Sequence, residues 1–440
     1  MSSSLFTDTI FALSSGALPS GVAVIRMSGP SVRAVLERLV GTVPLPRFAS
    51  LKSLKSSTGE VLDRGLVIYF EGSSSFTGED SAEFQLHGGR AVLAAVLREL
   101  SSLPGMRQAD AGDFTRRAFL NGKLDLAQTE ALSDLIAAET EAQRLFAIHN
   151  TGDVHRAIYG GWGRRLLHAR AMIEAELDFA DEGDVPGSVA EQVWADMALL
   201  RDELQAHAKG YATAEIVREG FRIVLLGAPN AGKSSLLNAL AKRDVAIVTD
   251  VAGTTRDLIE VALDLGGYKV LVTDTAGLRI TDDLVEQIGV SRALDAAGKA
   301  DLVLHLIDPG TAGDDELHYG SRLWRISTKR DLHSSHPRTK LSISATTGEG
   351  LGELIASLTE LVKAEVDLTR GQAVPFRARH LALLNEGASN LTHAIDAIDA
   401  PLELRAEDLR LAANALSRII GDTDVEDLLG AIFSEFCIGK

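Results

Sequence analysis

The 440-residue chain is 45% apolar and 24% charged, with one cysteine, a formal net charge of −17 and a pI of about 5.1. At roughly 150 residues per domain this length suggests about three domains, while the acidic balance argues against bulk nucleic-acid binding and one cysteine excludes an internal disulfide framework and suits a reducing cytosol. No run of about 18 apolar residues occurs, and MSSSLFTDTI lacks the basic region and apolar core of a secretion signal, so a cytoplasmic protein without a membrane partner is expected. An RNA partner would have to meet a local basic patch or a second protein.

Residues 1–122 read as a small α/β domain. GVAVIRMSG (21–29), GLVIYF (65–70) and SAEFQLHGG (81–89) are strand candidates, with the polar loop FEGSSSFTGED between the last two. The run 31–40 has helical spacing and begins after Gly29-Pro30, with Ser31 near the cap; 90–101 and the stretch from about 113 are also helical. His87, beside Gly88 and Gly89, has no second ligand or carboxylate partner visible in sequence and reads as structural.

DTIFALSS, AVIRMSGP, FTGEDSAEFQLHGG and GDFTRRAFLNGKLDLAQTEAL are long motifs, and together they resemble the N-terminal domain of the tRNA-modifying GTPases called MnmE or TrmE. The resemblance implies a dimer-forming domain that binds a 5-formyltetrahydrofolate-type cofactor, with contacts falling on Arg26, Glu83, Lys123 and, at the other end of the chain, Lys440. A carboxylate can accept paired hydrogen bonds from the amino edge of a pterin, and cations suit the carboxylates of a glutamate tail. On the residues alone, surface charges and half-buried salt bridges are the simpler reading.

Residues 123 to about 217 read as helices, economically two long antiparallel ones. Leu124, Ala127, Ala131, Leu135 and Ala138 recur every three or four positions, as do Val189, Val193, Met197, Leu200 and Leu204. LDFADEGDVPG (177–187) is an acidic break whose spacing matches no Ca²⁺ loop, so a solvated turn is expected. Arg156, Arg164, Arg165 and Arg170 fall partly on one helical face; they could touch phosphate, or form a solvated face laced with Glu174 and Glu176.

From about 218 to 375 strand and helix alternate, as in a doubly wound P-loop sheet with ligands at the carboxyl ends of its strands. RIVLLG, LIEVALDL, YKVLVTD, DLVLHLID, RLWRIST and KLSISA are the strand candidates. GAPNAGKSS (227–235) fits G-x-x-x-x-G-K-S between a strand and an amphipathic run. Asn230, Ala231, Gly232, Lys233, Ser234 and Ser235 would cradle phosphate with main-chain N–H groups and the positive end of a helix. Lys233 would reach the β- and γ-phosphates, and the Ser234 hydroxyl would ligate Mg²⁺.

Four further nucleotide segments follow in the order of a small G protein. Thr249, Asp250, Val251, Ala252, Gly253, Thr254 and Thr255 form a switch loop, with Thr255 placed for Mg²⁺. Asp274, Thr275, Ala276 and Gly277 form D-T-A-G, in which Asp274 would reach Mg²⁺ through water and the Gly277 N–H the γ-phosphate. In TKRD, running from Thr328 through Lys329 to Asp331, the Asp331 carboxylate would accept the N1–H and amino protons of guanine, which adenine cannot supply. Thr328 stands where Asn is commonest, a departure shared with Rho-type G proteins. Ser344 and Ala345 open the fifth segment, with the Ala345 N–H meeting guanine O6. All five segments in order identify a GTP-binding hydrolase.

The position after DTAG is Leu278, not the water-orienting Gln of Ras-type enzymes. The resemblance implies a substitute: K⁺ held by Asn230 and by backbone groups of Thr249, Val251 and Thr254, in place of an arginine finger. Such a charge is worth roughly 10³–10⁵ in rate. The family's catalytic carboxylate falls on Glu286, with Arg279 in the same segment; on spacing alone Glu286 is an ordinary helix glutamate.

Residues 376–440 return to helix and are expected to pack on 123–217, so that the G domain is inserted in a helical domain. Cys437 in the final C-I-G-K is either a thiol nucleophile or a pocket-lining residue; no activating base is visible nearby. The whole-chain resemblance implies a homodimeric GTPase that works with the flavin-dependent partner MnmG (GidA) on C5 of wobble uridine in tRNA. A ribosome-assembly GTPase of the Era or Der type, or a non-catalytic GTP switch, are the competing readings.

Overall fold

The computed structural model describes residues 5–178, 188–243, 245–247, 259–274, 296–311, 322–367, 371–421, 426–434, 436 and 438–439. Two compact units divide the chain: residues 1–133, 155–161 and 417–440 form one, and 134–154 with 162–416 form the other.

The first unit is built on a six-stranded sheet of order β3-β4-β5-β2-β1-β6. Its strands are β1 (Thr9–Leu13), β2 (Ser20–Ser28), β3 (Ser50–Lys55), β4 (Val61–Phe70), β5 (Ser81–Gly88) and β6 (Met106–Gln108). Only the β1–β6 pair is parallel. Helix α1 (Val32–Val40) buries Val32, Val35, Leu36 and Leu39, the one-face spacing of an amphipathic helix, and joins α2 (Arg90–Ser101) over Ile25, Met27, Val67 and Phe84. Ile10 and Ala12 of β1 pack with Ala109 and with Phe114 from α3 (Asp113–Leu120).

β1, β3 and β6 escape a reading by alternation for separate reasons. TIFAL is buried on both faces, SLKSLK is an edge strand with exposed residues, and MRQ is three residues long.

Among the described residues the helical middle holds five helices rather than two: α4 (Leu126–Ala137), α5 (Glu141–Asn150), α6 (Val154–Asp178), α7 (Ser188–Ala208) and α8 (Tyr211–Glu219). The break after α4 comes from Thr140, whose extended backbone and side chain form a capping box with Gln143. The α7 stripe buries Val193, Met197, Leu200 and Leu204 as expected.

The second unit carries a six-stranded sheet, order β12-β11-β10-β7-β9-β8. Its strands are β7 (Phe221–Leu226), β8 (Ile259–Leu265), β9 (Tyr268–Asp274), β10 (Leu302–Ile307), β11 (Arg322–Ser327) and β12 (Leu341–Ser342), matching all six candidates. All pairings are parallel except β8 with β9. Central β10 is buried along its whole length, as a strand covered on both faces must be. Helices α9 (Lys233–Ala241) and α10 (Leu351–Val366) cover one face, packing Leu236, Leu240, Leu354 and Leu358 on Ile223, Leu225, Val270 and Leu304.

The chain ends in α11 (Ala378–Asp396), α12 (Leu402–Ile420) and α13 (Glu426–Ser434). α11 packs along α7, with Gly387 against Leu204, as expected for this stretch. The segment after Ser417 groups instead with the N-terminal sheet. Phe433 meets Phe119, Ile438 bridges Ala111, and the Ser14 hydroxyl donates to the Gly439 carbonyl at 2.8 Å.

Candidate functional site

The loop between β7 and α9 is shaped by backbone that few residues tolerate. Gly227 (φ +144°), Asn230 (φ +64°) and Gly232 (φ +99°) all have positive φ. A Cβ at Gly227 would lie 2.4 Å from the Leu306 carbonyl oxygen on β10, so only glycine allows this approach. The loop delivers the chain into the first turn of α9, where main-chain N–H groups lack intrahelical acceptors.

Lys233 opens α9, is 8% exposed, and donates to the carbonyls of Gly227 at 2.6 Å and Ala228 at 2.9 Å. Burial pushes its ammonium below the usual lysine range, opposed by the charge of Asp274. The Ser234 hydroxyl donates to Asp274 Oδ2 at 2.6 Å, and Asp274 is fully buried at the end of β9. Loop, lysine, serine and aspartate thus meet at the carboxyl ends of β7 and β9.

Beside them lies a cavity of about 180 Å³ lined by Asn230, Gly232, Ser235, Thr328, Lys329, Asp331 and Ala345, with Leu332, Ile343 and Thr346. The Thr328 hydroxyl donates to the carbonyls of Ala231 (2.8 Å) and Ile307 (3.2 Å), tying this segment to the phosphate loop. Thr328 therefore cross-links the two motifs. Buried Ser344 shapes the last turn, its hydroxyl accepting the Thr347 N–H at 3.1 Å.

Asp308 was not singled out by the sequence reading. It follows β10, and its Oδ2 accepts a hydrogen bond from Lys329 Nζ at 2.6 Å. The signal was an acidic residue closing the apolar run LVLHLI at the carboxyl end of a central strand.

Arg279, Glu286, Leu278, Cys437, Lys440 and the segments Thr249–Thr255 and Thr275–Gly277 lie outside the described residues, as does most of the acidic break.

In the first unit, Arg26 and Glu83 are cross-strand partners on β2 and β5, joined at 2.9–3.0 Å and half-buried. Lys123 Nζ donates to the Ser73 carbonyl at 2.7 Å. Arg26 is also paired in register with Ala12, one residue before Leu13, whose carbonyl lies against Gly439. The end of the chain thereby reaches the neighbourhood of the Arg26–Glu83 pair.

His87 does have a carboxylate partner, contrary to the sequence reading: its Nδ1 lies 2.9 Å from Asp63 Oδ1 across the β4–β5 pair. The two are 24 positions apart and only strand register brings them together. The ring is 74% exposed on the sheet surface, which keeps the structural reading. Of the helix arginines, Arg170 pairs with Glu174 as in the solvated-face reading, whereas Arg165 pairs with Asp196 and Glu203 and Arg156 with the buried carboxylate of Asp125.

A family described as "GTP-binding protein TrmE N-terminus" matches residues 9–123, and one described as "MnmE helical domain" matches 126–437. The tRNA modification GTPase MnmE of Chelativorans sp. (strain BNC1) is 57% identical over 435 residues, covering 98% of each chain. The protein of that name from Rhizobium meliloti (strain 1021) is 53% identical over 441 residues, covering 99% of this chain and 100% of the relative. Among solved structures, the G domain of the T. maritima FeoB iron transporter is 26% identical, covering 32% of this chain and 97% of that one, with a TM-score of 0.24.

Proposed function

The chain belongs to the MnmE family of tRNA modification GTPases and is a GTP hydrolase, and from that premise we propose how its residues divide the work. The triphosphate lies in the loop Asn230–Ser235 with Lys233 on its terminal phosphates, and guanine lies in the cavity lined by Thr328, Lys329, Asp331 and Ala345. The observation that carries this is the convergence of Lys233, Ser234 and Asp274 at the mouth of α9, next to that cavity. Main-chain donors and a held lysine stabilise charge that develops on transferring phosphoryl oxygens without reorganising during the reaction.

The Ser234 hydroxyl and the Asp274 carboxylate, 2.6 Å apart, are the hard oxygen donors that Mg²⁺ prefers, so they fit that ion, with Thr255 as the switch-loop ligand. When bound, it would neutralise phosphate oxygens. Asn230, turned out of the usual backbone region at φ +64°, is the described member of the K⁺ set; Thr249, Val251 and Thr254 complete it. Asp250, Ala252 and Gly253 would carry the switch loop around the nucleotide, and Thr275, Ala276 and Gly277 would face the γ-phosphate. Glu286 would orient water, with Arg279 beside it.

Arg26, Glu83, Lys123 and Lys440 are proposed to hold the folate. A half-buried Arg–Glu pair fits a pterin edge and an acidic tail, since each partner offers one face of the recognition. Folate would supply the one-carbon unit. Leu45, Phe48, Leu51 and Leu66 are exposed apolar side chains around β3 and β4, which supports a homodimer through this sheet. The proposed domain limits are 1–122, 123–217 with 376–440, and 218–375. The flavin-dependent partner MnmG, C5 of wobble uridine and a cytoplasmic location complete the reading.

The test is GTP turnover by the full chain in K⁺ and in Na⁺, together with mass analysis of wobble nucleosides in cells lacking the gene. Faster turnover in K⁺ and loss of C5-substituted uridine are expected. Equal turnover in both salts would remove the cation, and unchanged nucleosides would remove the modification role.

A further inference from the structure

Asp308 sits at the carboxyl end of central strand β10 with a 5% exposed side chain. Its two oxygens have separate tasks. Oδ1 accepts the Gly310 N–H at 3.0 Å and so closes its own turn, while Oδ2 takes the Lys329 ammonium at 2.6 Å. The hydrogen bond from Lys329 holds the Asp308 carboxyl below the usual carboxylate range. His333 stands farther off, its Nε2 4.0 Å from Oδ1.

Lys329 is itself unusual. Its φ is +53°, a left-handed value that a non-glycine residue seldom adopts, and its carbonyl accepts the N–H groups of Leu332 and His333 at 2.9 and 3.1 Å. The backbone is thus fixed by the turn, and the ammonium is fixed by Asp308. Held between these two anchors, Lys329 lines the cavity beside Asp331 and Leu332. A lysine stem left untethered has several rotatable bonds, and ordering them on binding opposes affinity.

We propose that Asp308 is a positioning residue of the guanine site: by clamping Lys329 it sets the lysine stem in advance as a fixed wall for the purine ring. This rests on reading the cavity as the base pocket. Asp308 touches no nucleotide atom in this account and acts through Lys329 alone.

The experiment is fluorescence titration of the full-length chain with a labelled GDP, using Asp308→Asn, Lys329→Met, the double variant and Asp331→Asn, each checked by thermal melting. Asn keeps an oxygen for the Gly310 N–H, so the turn survives while the charged clamp is lost. Asp308→Asn should raise the GDP Kd about tenfold, the scale expected for ordering one long side chain on binding. Lys329→Met should weaken binding similarly, and the double variant should be no worse than Lys329→Met alone, because the clamp has nothing left to hold. A Kd for Asp308→Asn within about twofold of the parent, or additive losses in the double variant, overturns the clamp. Asp331→Asn separates the two readings. Asn can donate to the C2 carbonyl of a xanthine base, so a shift in preference from GDP to xanthosine diphosphate supports the base pocket. An unchanged preference overturns that pocket and the clamp with it.

Discussion

In the largely parallel sheet the proposed anion cradle is made of main chain: Gly227, Asn230 and Gly232 turn through positive φ, and a Cβ at Gly227 would meet the Leu306 carbonyl. In the antiparallel sheet the polar centre is made of side chains. Arg117, 2% exposed, spans Asp8 at 2.8 Å and Glu79 at 2.9 Å, and Glu79 joins Ser28, Thr77 and Ser81 in a buried hydroxyl cluster. The first region is shaped by backbone that leaves no room for a Cβ and is damaged by adding atoms. The second uses its charges on one another and is damaged by removing them.

That contrast can be broken by substitution. The largest stability loss should come from Arg117→Met, which leaves Glu79 buried without its cation. About 3–5 kcal/mol is expected by chemical denaturation, and a loss under about 1 kcal/mol would mean that the network holds nothing together. Next is Gly227→Ala, where strained backbone and the Leu306 contact together should cost about 3 kcal/mol and remove nucleotide binding. Retained binding of labelled GDP would show that the loop yields to a Cβ.

The helical part of the second unit offers a pH test. Burial first, then the charge of His380, lowers the pKa of His207 from 6.5 to about 4. The unfolded chain therefore takes the proton first. Stability should be complete above pH 6.5 and lost as pH falls toward 4, by about 3 kcal/mol in all. His207→Leu should flatten that part of the pH profile, and an unchanged slope would place the titration elsewhere. The smallest effect should be that of Arg26→Ala, in a partly buried pair, with less than about 1 kcal/mol of stability lost. Equilibrium dialysis with a reduced folate should nevertheless show lost binding; unaltered binding would take Arg26 out of the proposed pocket.

The same contrast explains what the sequence disclosed. A main-chain cradle needs particular residues at fixed spacing, so GAPNAGKSS, TKRD and the alanine of SAT could be read directly, and each falls beside the cavity or the helix mouth. Contacts set by strand register leave no such trace. Asp63 with His87, Asp8 with Arg117 and Asp308 with Lys329 join residues 24, 109 and 21 positions apart, through pairings no spacing rule encodes. The return of Gly439 to Leu13 and Ser14, 425 positions away in the Ser14 contact, is legible only once the sheet exists. Thr140 is the reverse case: its T-x-x-Q capping signal was present, and a strong apolar period running up to it obscured the helix break.

The most direct test of the cradle is hydrolysis of GTP by the full chain beside Lys233→Ala, at saturating Mg²⁺ and K⁺. Removing the ammonium that Gly227 and Ala228 hold in the proposed cradle should slow turnover at least about 10²-fold while the variant melts as a folded protein. Turnover within about threefold of the parent would contradict a triphosphate lying in the loop Gly227–Ser235.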